Sequence, residues 1–246
     1  MKIFFIAISL LLGILSMPVY AAHPLITDDT GTQGKGKFQI EVNAEHASDN
    51  GNTETALGVT LSAGLLDNFD AVIGLPYIFL REKNEAGQWN HEDGISDLSL
   101  AVKWRLYERE GLSFALKPGV SLATGNEDKG LGDGKPAYSL FLITTKELEP
   151  FALHLNIGYI ANRSRVRDIW HYSLAGEYSA TKKLKIVGNV GGETNPERES
   201  SVHPLFVLGG VIYKLTDSFD VDFGVKTGLN KAEADYTLLA GLAFRF

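Results

Sequence analysis

The sequence predicts an all-β protein, a transmembrane antiparallel barrel of about twelve strands with short periplasmic turns and longer extracellular loops. Three observations carry this expectation: an N-terminal secretory leader, long segments of two-residue alternation, and a last strand ending in phenylalanine.

The leader comes first. Lys2 supplies a short positive region, and residues 3–15 form an apolar run that leads through Met17 and Pro18 into Val19-Tyr20-Ala21-Ala22. Small residues at that point suit signal peptidase, so residues 1–22 are read as a signal peptide cut after Ala21 or Ala22. The run is too short for the ~20 apolar residues that span ~30 Å of hydrocarbon. No other stretch of the 246 residues approaches that length, so membrane crossing falls to strands. The chain carries a formal charge of -7 and no cysteine, which excludes disulfide frameworks and cysteine-held zinc or iron–sulfur sites. Its charges are mixed, without a basic block, which argues against a nucleic-acid partner.

Alternation fills the rest of the chain. Phe38, Ile40, Val42 and Ala44 alternate with Lys37, Gln39, Glu41 and Asn43. Leu57–Leu65, Phe69–Phe79 and Leu98–Leu106 follow the same rule. So do Leu112–Thr124, Pro136–Lys146, Phe151–Asn162 and Ile169–Ala180. Leu184–Gly192, His203–Leu215, Phe219–Asn230 and Tyr236–Phe246 complete the set. Strands of a soluble sandwich average about 5–6 residues, roughly half of these lengths. Short connections at Asp67-Asn68, 108–111, 147–150, 181–183 and 216–218 alternate with longer polar loops. Those loops are expected near 47–53, 82–93, 125–134, 163–168, 193–202 and 231–235. This rhythm places the barrel, residues 36–246, in a Gram-negative outer membrane. Aromatics on the apolar face gather near strand ends, among them Phe69, Tyr77, Trp104, Phe151, Trp170 and Tyr178, as girdles at the lipid boundary require.

The chain ends with apolar residues at every second position through Phe244 and Phe246. That pattern reads as the signal taken by the outer-membrane assembly machinery. The remaining expected partners are outer-membrane lipid, lipopolysaccharide and a small-molecule solute, with the barrel a monomer.

Residues 23–36, His-Pro-Leu-Ile-Thr-Asp-Asp-Thr-Gly-Thr-Gln-Gly-Lys-Gly, run directly into the first alternating strand. This opening, with the later stretch Phe151–Tyr159, resembles a family of outer-membrane transporters labelled "putative meta-pathway of phenol degradation". The resemblance implies a barrel that handles small, often aromatic, compounds.

Alternation turns a charged set inward: Glu41, Asp97, Lys103, Arg105, Lys117, His154, Glu177, Asp220, Asp222, Lys226 and Arg245. These are expected to line a pore, the alternative being a salt-bridged interior that seals the barrel. Residues 23–35 are too rich in Gly, Thr and Asp for a strand and are expected as a periplasmic segment or plug. In the plug form His23, Asp28 and Asp29 would bond to interior groups. Pro76 and Pro118 interrupt strands, since proline donates nothing to a ladder. An outer-membrane phospholipase also carries a His-x-Ser pair, and His171-Tyr172-Ser173 resembles it. Here the pair faces inward, and Leu174 and Ala175 stand where that family has Asn-Gly, so no enzyme is expected. No cofactor and no metal site are expected either. The acidic loop 125–134 departs from calcium-loop spacing. The function read from all this is passive passage of small, hydrophobic or aromatic solutes. The competing reading is a closed structural or surface-interaction barrel.

Overall fold

The computed structural model describes residues 23–84, 86–162 and 167–246, so the leader expectation for 1–22 lies outside the described residues. Thirteen strands follow in order: β1 Phe38–Asp49, β2 Asn52–Leu66, β3 Phe69–Lys83, β4 Trp89–Ile95, β5 Leu98–Arg109, β6 Leu112–Leu122 and β7 Ala137–Leu148. After them come β8 Phe151–Asn162, β9 Ile169–Ser179, β10 Leu184–Glu193, β11 Leu205–Thr216, β12 Phe219–Gly228 and β13 Tyr236–Arg245. Each pairs antiparallel with its neighbour, and β1 pairs with both β2 and β13, which closes the sheet on itself.

The wall is nevertheless twelve strands around. Strand β3 pairs with β5 through Phe69–Gly74 and with β4 through Tyr77–Lys83, so β4 and β5 share one position in succession. The handover lies opposite Pro76, whose carbonyl accepts Ser96 N at 3.0 Å. Pro118 marks a second irregularity. The β5–β6 ladder is paired at Ala101↔Gly119 and again at Trp104↔Leu116, with Val102 and Lys103 unpaired between them. Proline has no N–H to give there, so the ladder lapses while its register holds.

Alternation sorts the side chains as the pleat demands. Leu57, Leu75, Leu140, Leu155, Leu174 and Val225 stand outward and exposed, as lipid-facing residues. Aromatics gather in two outer bands, with Phe69, Trp104, Phe151 and Tyr178 toward the short turns and Tyr138, Tyr159, Trp170 and Tyr236 toward the long loops.

Two loop expectations are corrected. Residues 47–53 form a tight hairpin rather than a long loop, because Asn50 and Gly51 both adopt positive φ, 49° and 85°, and close a two-residue turn. Residues 82–93 are largely strand, with β4 running from Trp89. Its polar sequence hid it, since it extends the β3 hairpin toward the long-loop end, where no apolar face is required.

On the lipid face Phe244 stacks on Phe219, ring centroids 4.2 Å apart and planes 13° off parallel, across the β12–β13 pair. Phe244→Leu keeps the apolar face but removes the stack. It is expected to lower stability by about 0.5–1.5 kcal/mol, read from urea unfolding in lipid vesicles.

Candidate functional site

The interior is occupied by the chain's own N-terminal segment. Residues 23–35 cross the barrel from β12 to β2, bonded to the inner wall mostly through wall side chains. At one end His23 Nδ1 pairs with the Asp222 carboxylate, and Pro24 sits against Gly210 and Gly224, where an added Cβ would fall 2.8 Å from the proline ring. Asn189 Oδ1 receives the N–H groups of Ile26 and Thr27 at 2.8 and 3.0 Å, and its Nδ2 donates to Thr27 Oγ1 at 2.8 Å. Asn156 repeats the device: Oδ1 accepts Asp28 N at 2.7 Å and Nδ2 donates to Asp28 O at 2.8 Å. Thr30 N donates to Thr145 Oγ1 at 3.1 Å, and its hydroxyl meets Ser113 Oγ. Gln33 N reaches the Asp70 carboxylate at 3.0 Å.

The composition of the segment explains this path. An extended, ladderless backbone must place its polar groups elsewhere, and here amides and hydroxyls of the wall take most of them, with the Asp67 and Asp70 carboxylates at the far end. Asp29 Oδ1 accepts Gly31 N at 2.5 Å and turns the chain. Gly34 and Gly36, at φ 84° and 77°, then swing it into β1. Gly64 must be glycine, since a Cβ there would lie 1.9 Å from Gly34 O.

Asp28 is the charged centre of the arrangement. Its two carboxylate oxygens accept from Lys103 Nζ at 2.7 Å and Lys117 Nζ at 2.8 Å. The two lysines lie opposite each other on β5 and β6, beside the lapse at Pro118, and both are buried. Lys103 also donates to Asp29 O at 3.1 Å. Leu25 adds an apolar anchor, buried among Ala175, Val187, Phe206, Leu208, Ile212 and Leu239.

The other inward charges are mostly paired with one another. Arg245 bridges Asp220 at 2.7 Å, Lys226 bridges Glu233 at 2.9 Å, and Lys185 bridges Glu177 at 2.7 Å. His154 Nδ1 meets Thr145 Oγ1 at 2.9 Å, with Nε2 3.6 Å from Glu177. Arg105 lies at the short-turn rim beside Glu108, 3.2 Å away. Glu41 is buried without an ion pair among the described residues.

Asp97 stands elsewhere than the strand pattern expected. It occupies the β4–β5 handover, where Oδ1 accepts Gly125 N at 2.8 Å and Oδ2 accepts Asp133 N at 2.9 Å. Its carboxylate thus ties down the loop 125–134, whose Leu131 is buried and approaches Gly94 of β4. Burial, with Asp97 and Glu127 nearby, pushes the Asp133 carboxyl above its ordinary range. Protonation of Asp133 therefore favours the docked loop as pH falls, and the benefit is lost as pH rises through that raised value.

Sequence reading missed the neutral holders Asn156, Asn189, Thr145 and Ser113, although alternation already placed them inward. It also missed an apolar inner wall at Ala115, Phe141 and Ile143. His171 Nε2 lies 3.0 Å from Ser173 Oγ, and its Nδ1 3.6 Å from Glu193, all facing inward.

Asp28→Ala leaves two apposed buried lysines without their anion, and breaking such a pairing costs about 3–5 kcal/mol. The segment is then expected to leave the lumen, with the amides of residues 26–30 exchanging with deuterium in the folded variant and protected in the parent protein. The triple variant Asp28→Leu, Lys103→Met, Lys117→Met is expected to regain protection.

Comparison with known proteins follows the geometry. The model of the family described as "Putative MetA-pathway of phenol degradation" matches residues 21–246. Among solved structures, the COG4313 outer membrane channel from Pseudomonas putida F1 superposes with a TM-score of 0.71 at 14% identity, over 89% of this chain and 98% of that one. The NanC porin gives 0.62 at 9% identity, over 83% and 98%, and the KdgM porin 0.60 at 9%, over 85% and 99%. At these identities the likeness speaks for the outer-membrane barrel fold. No curated protein matches the sequence.

Proposed function

The chain belongs to the family described as "Putative MetA-pathway of phenol degradation", and we propose that it is a passive outer-membrane channel for small, hydrophobic or aromatic solutes. One observation carries this reading: the lumen is crossed by a segment held through side-chain contacts rather than by a strand ladder. A ladder would seal the barrel permanently, whereas a segment tethered through side chains can be displaced from the wall. The apolar stretch of inner wall at Ala115, Phe141 and Ile143 suits apolar solutes better than sugars or ions.

Maturation belongs to the same proposal. His23 lies buried within the barrel, so the leader must be removed for the segment to seat. Phe244 and Phe246 serve the assembly machinery, and lipid and lipopolysaccharide surround a monomer. Enzymatic action forms no part of it. The Ser173–His171–Glu193 row lies on β9 and β10, whose N–H groups are engaged in their own ladders, and this leaves no backbone donors there for an oxyanion.

The refolded protein, residues 23–246, is expected to conduct in a planar bilayer with small discrete openings that phenol or toluene reduces. Deleting residues 23–33 is expected to raise unitary conductance several-fold. A silent barrel, before and after the deletion, would overturn the channel and leave a structural or surface-interaction role.

A further inference from the structure

Across the lumen, lysine and carboxylate are treated differently. Lys103, Lys117, Lys185 and Lys226 each sit within 3 Å of a carboxylate oxygen. Glu41, Glu45 and Glu54, inward on β1 and β2, are buried to 3–5% exposure and enter no ion pair among the described residues. An unpaired buried carboxylate is costly unless a cation or a proton accompanies it.

The same stretch of wall holds further unpartnered groups. Among the described residues, both amide atoms of Asn43, one carboxylate oxygen of Glu45 and the hydroxyls of Thr60 and Thr237 have no hydrogen-bond partner. Asn43, Thr60 and Thr237 are each at least 97% buried. Register gathers Asn43, Glu54 and Thr237 around Glu45: Asn43 lies two residues before it on β1, and Glu54 and Thr237 flank Ala47, two residues after it, while Thr60 and Glu41 face each other farther along the wall. Native interiors pair nearly all such atoms. So many orphans on one patch, next to three uncompensated acids, mark a place where a visitor completes the bonding.

We propose that this patch binds the ammonium group of a small organic cation whose body is apolar, and that the channel prefers such solutes. The inference rests on the channel reading above and names its solute class. An ammonium brings the positive charge that the glutamates lack and up to three N–H donors for Asn43 Oδ1, Glu45 and the Thr237 hydroxyl. A bare metal ion suits the patch less well, because the described residues contain no group of three carboxylate or imidazole ligands close enough to hold one. An anionic cargo such as the oligogalacturonate described with the KdgM porin would meet the wrong sign here.

The test compares benzylammonium, benzyl alcohol, benzoate and calcium on refolded protein, in detergent by calorimetry and in planar bilayers by current. Benzylammonium is expected to bind and to block, benzoate to do neither, and benzyl alcohol to bind at least about tenfold more weakly, the worth of one charged hydrogen bond. The Glu45→Gln, Glu54→Gln protein is expected to lose a similar factor for benzylammonium alone. Its cation preference in a KCl gradient is expected to fall. Equal binding of benzyl alcohol and benzylammonium, unchanged affinity in the variant, or calcium displacing the amine at equal concentration would each overturn the proposal. Calorimetric binding without any current would uphold the site and overturn the channel; current without cation preference or amine binding would do the reverse.

Discussion

The structure hangs on one charge arrangement, the Asp28 carboxylate held between the ammonium groups of Lys103 and Lys117. Two lysines facing each other on adjacent strands repel, and neither is solvated inside the barrel. One carboxylate, delivered by a segment that is not part of the wall, resolves both problems. Everything else about the segment follows from having to bring Asp28 to that point. Asn156 and Asn189 take its backbone, Leu25 fills the apolar hollow, and the turn through Gly34 and Gly36 leads into β1.

This makes the interior a second folding problem layered on the first. The wall closes through its ladders, from β1 to β13 and back, without help from the lumen. The lumen is then packed like the core of a small globular protein, with an apolar cluster, paired charges and satisfied amides. Where that packing leaves acids and amides without partners, on β1 and β2, the interior ceases to be a core and becomes a surface facing a solute. Prolines mark where the wall itself is irregular. Pro76 lies at the handover between β4 and β5, over which Asp97 fastens the loop 125–134.

Much of the fold was legible because a barrel wall repeats a simple rule. Lipid on one side forces an apolar residue at every second position, and that demand is local, so residues 57–65 or 151–162 announce themselves without knowledge of their neighbours. Where lipid stops, the signal stops. Strand β4 lies beyond that constraint and its Trp89-Asn90-His91-Glu92-Asp93 reads as a loop. The β1–β2 hairpin was likewise read as a loop, although Asn50-Gly51 carried the turn in plain sight.

The site was legible only as a set of inward residues. Alternation could say that Lys103, Lys117, His154 and Asp222 face the lumen, and composition could say that residues 23–35 are no strand. Neither could say which inward residue meets which, because Asp28 and Lys117 are 89 positions apart and alternation carries no information across the barrel. By itself, then, the sequence determined the barrel, its two faces and its orientation, all consequences of a solvent boundary acting residue by residue. Tertiary structure decided the pairing of charges, the path of the segment and the choice of Asp97 as a loop fastener. Those depend on closure, which sets the distances across a lumen that no local pattern encodes.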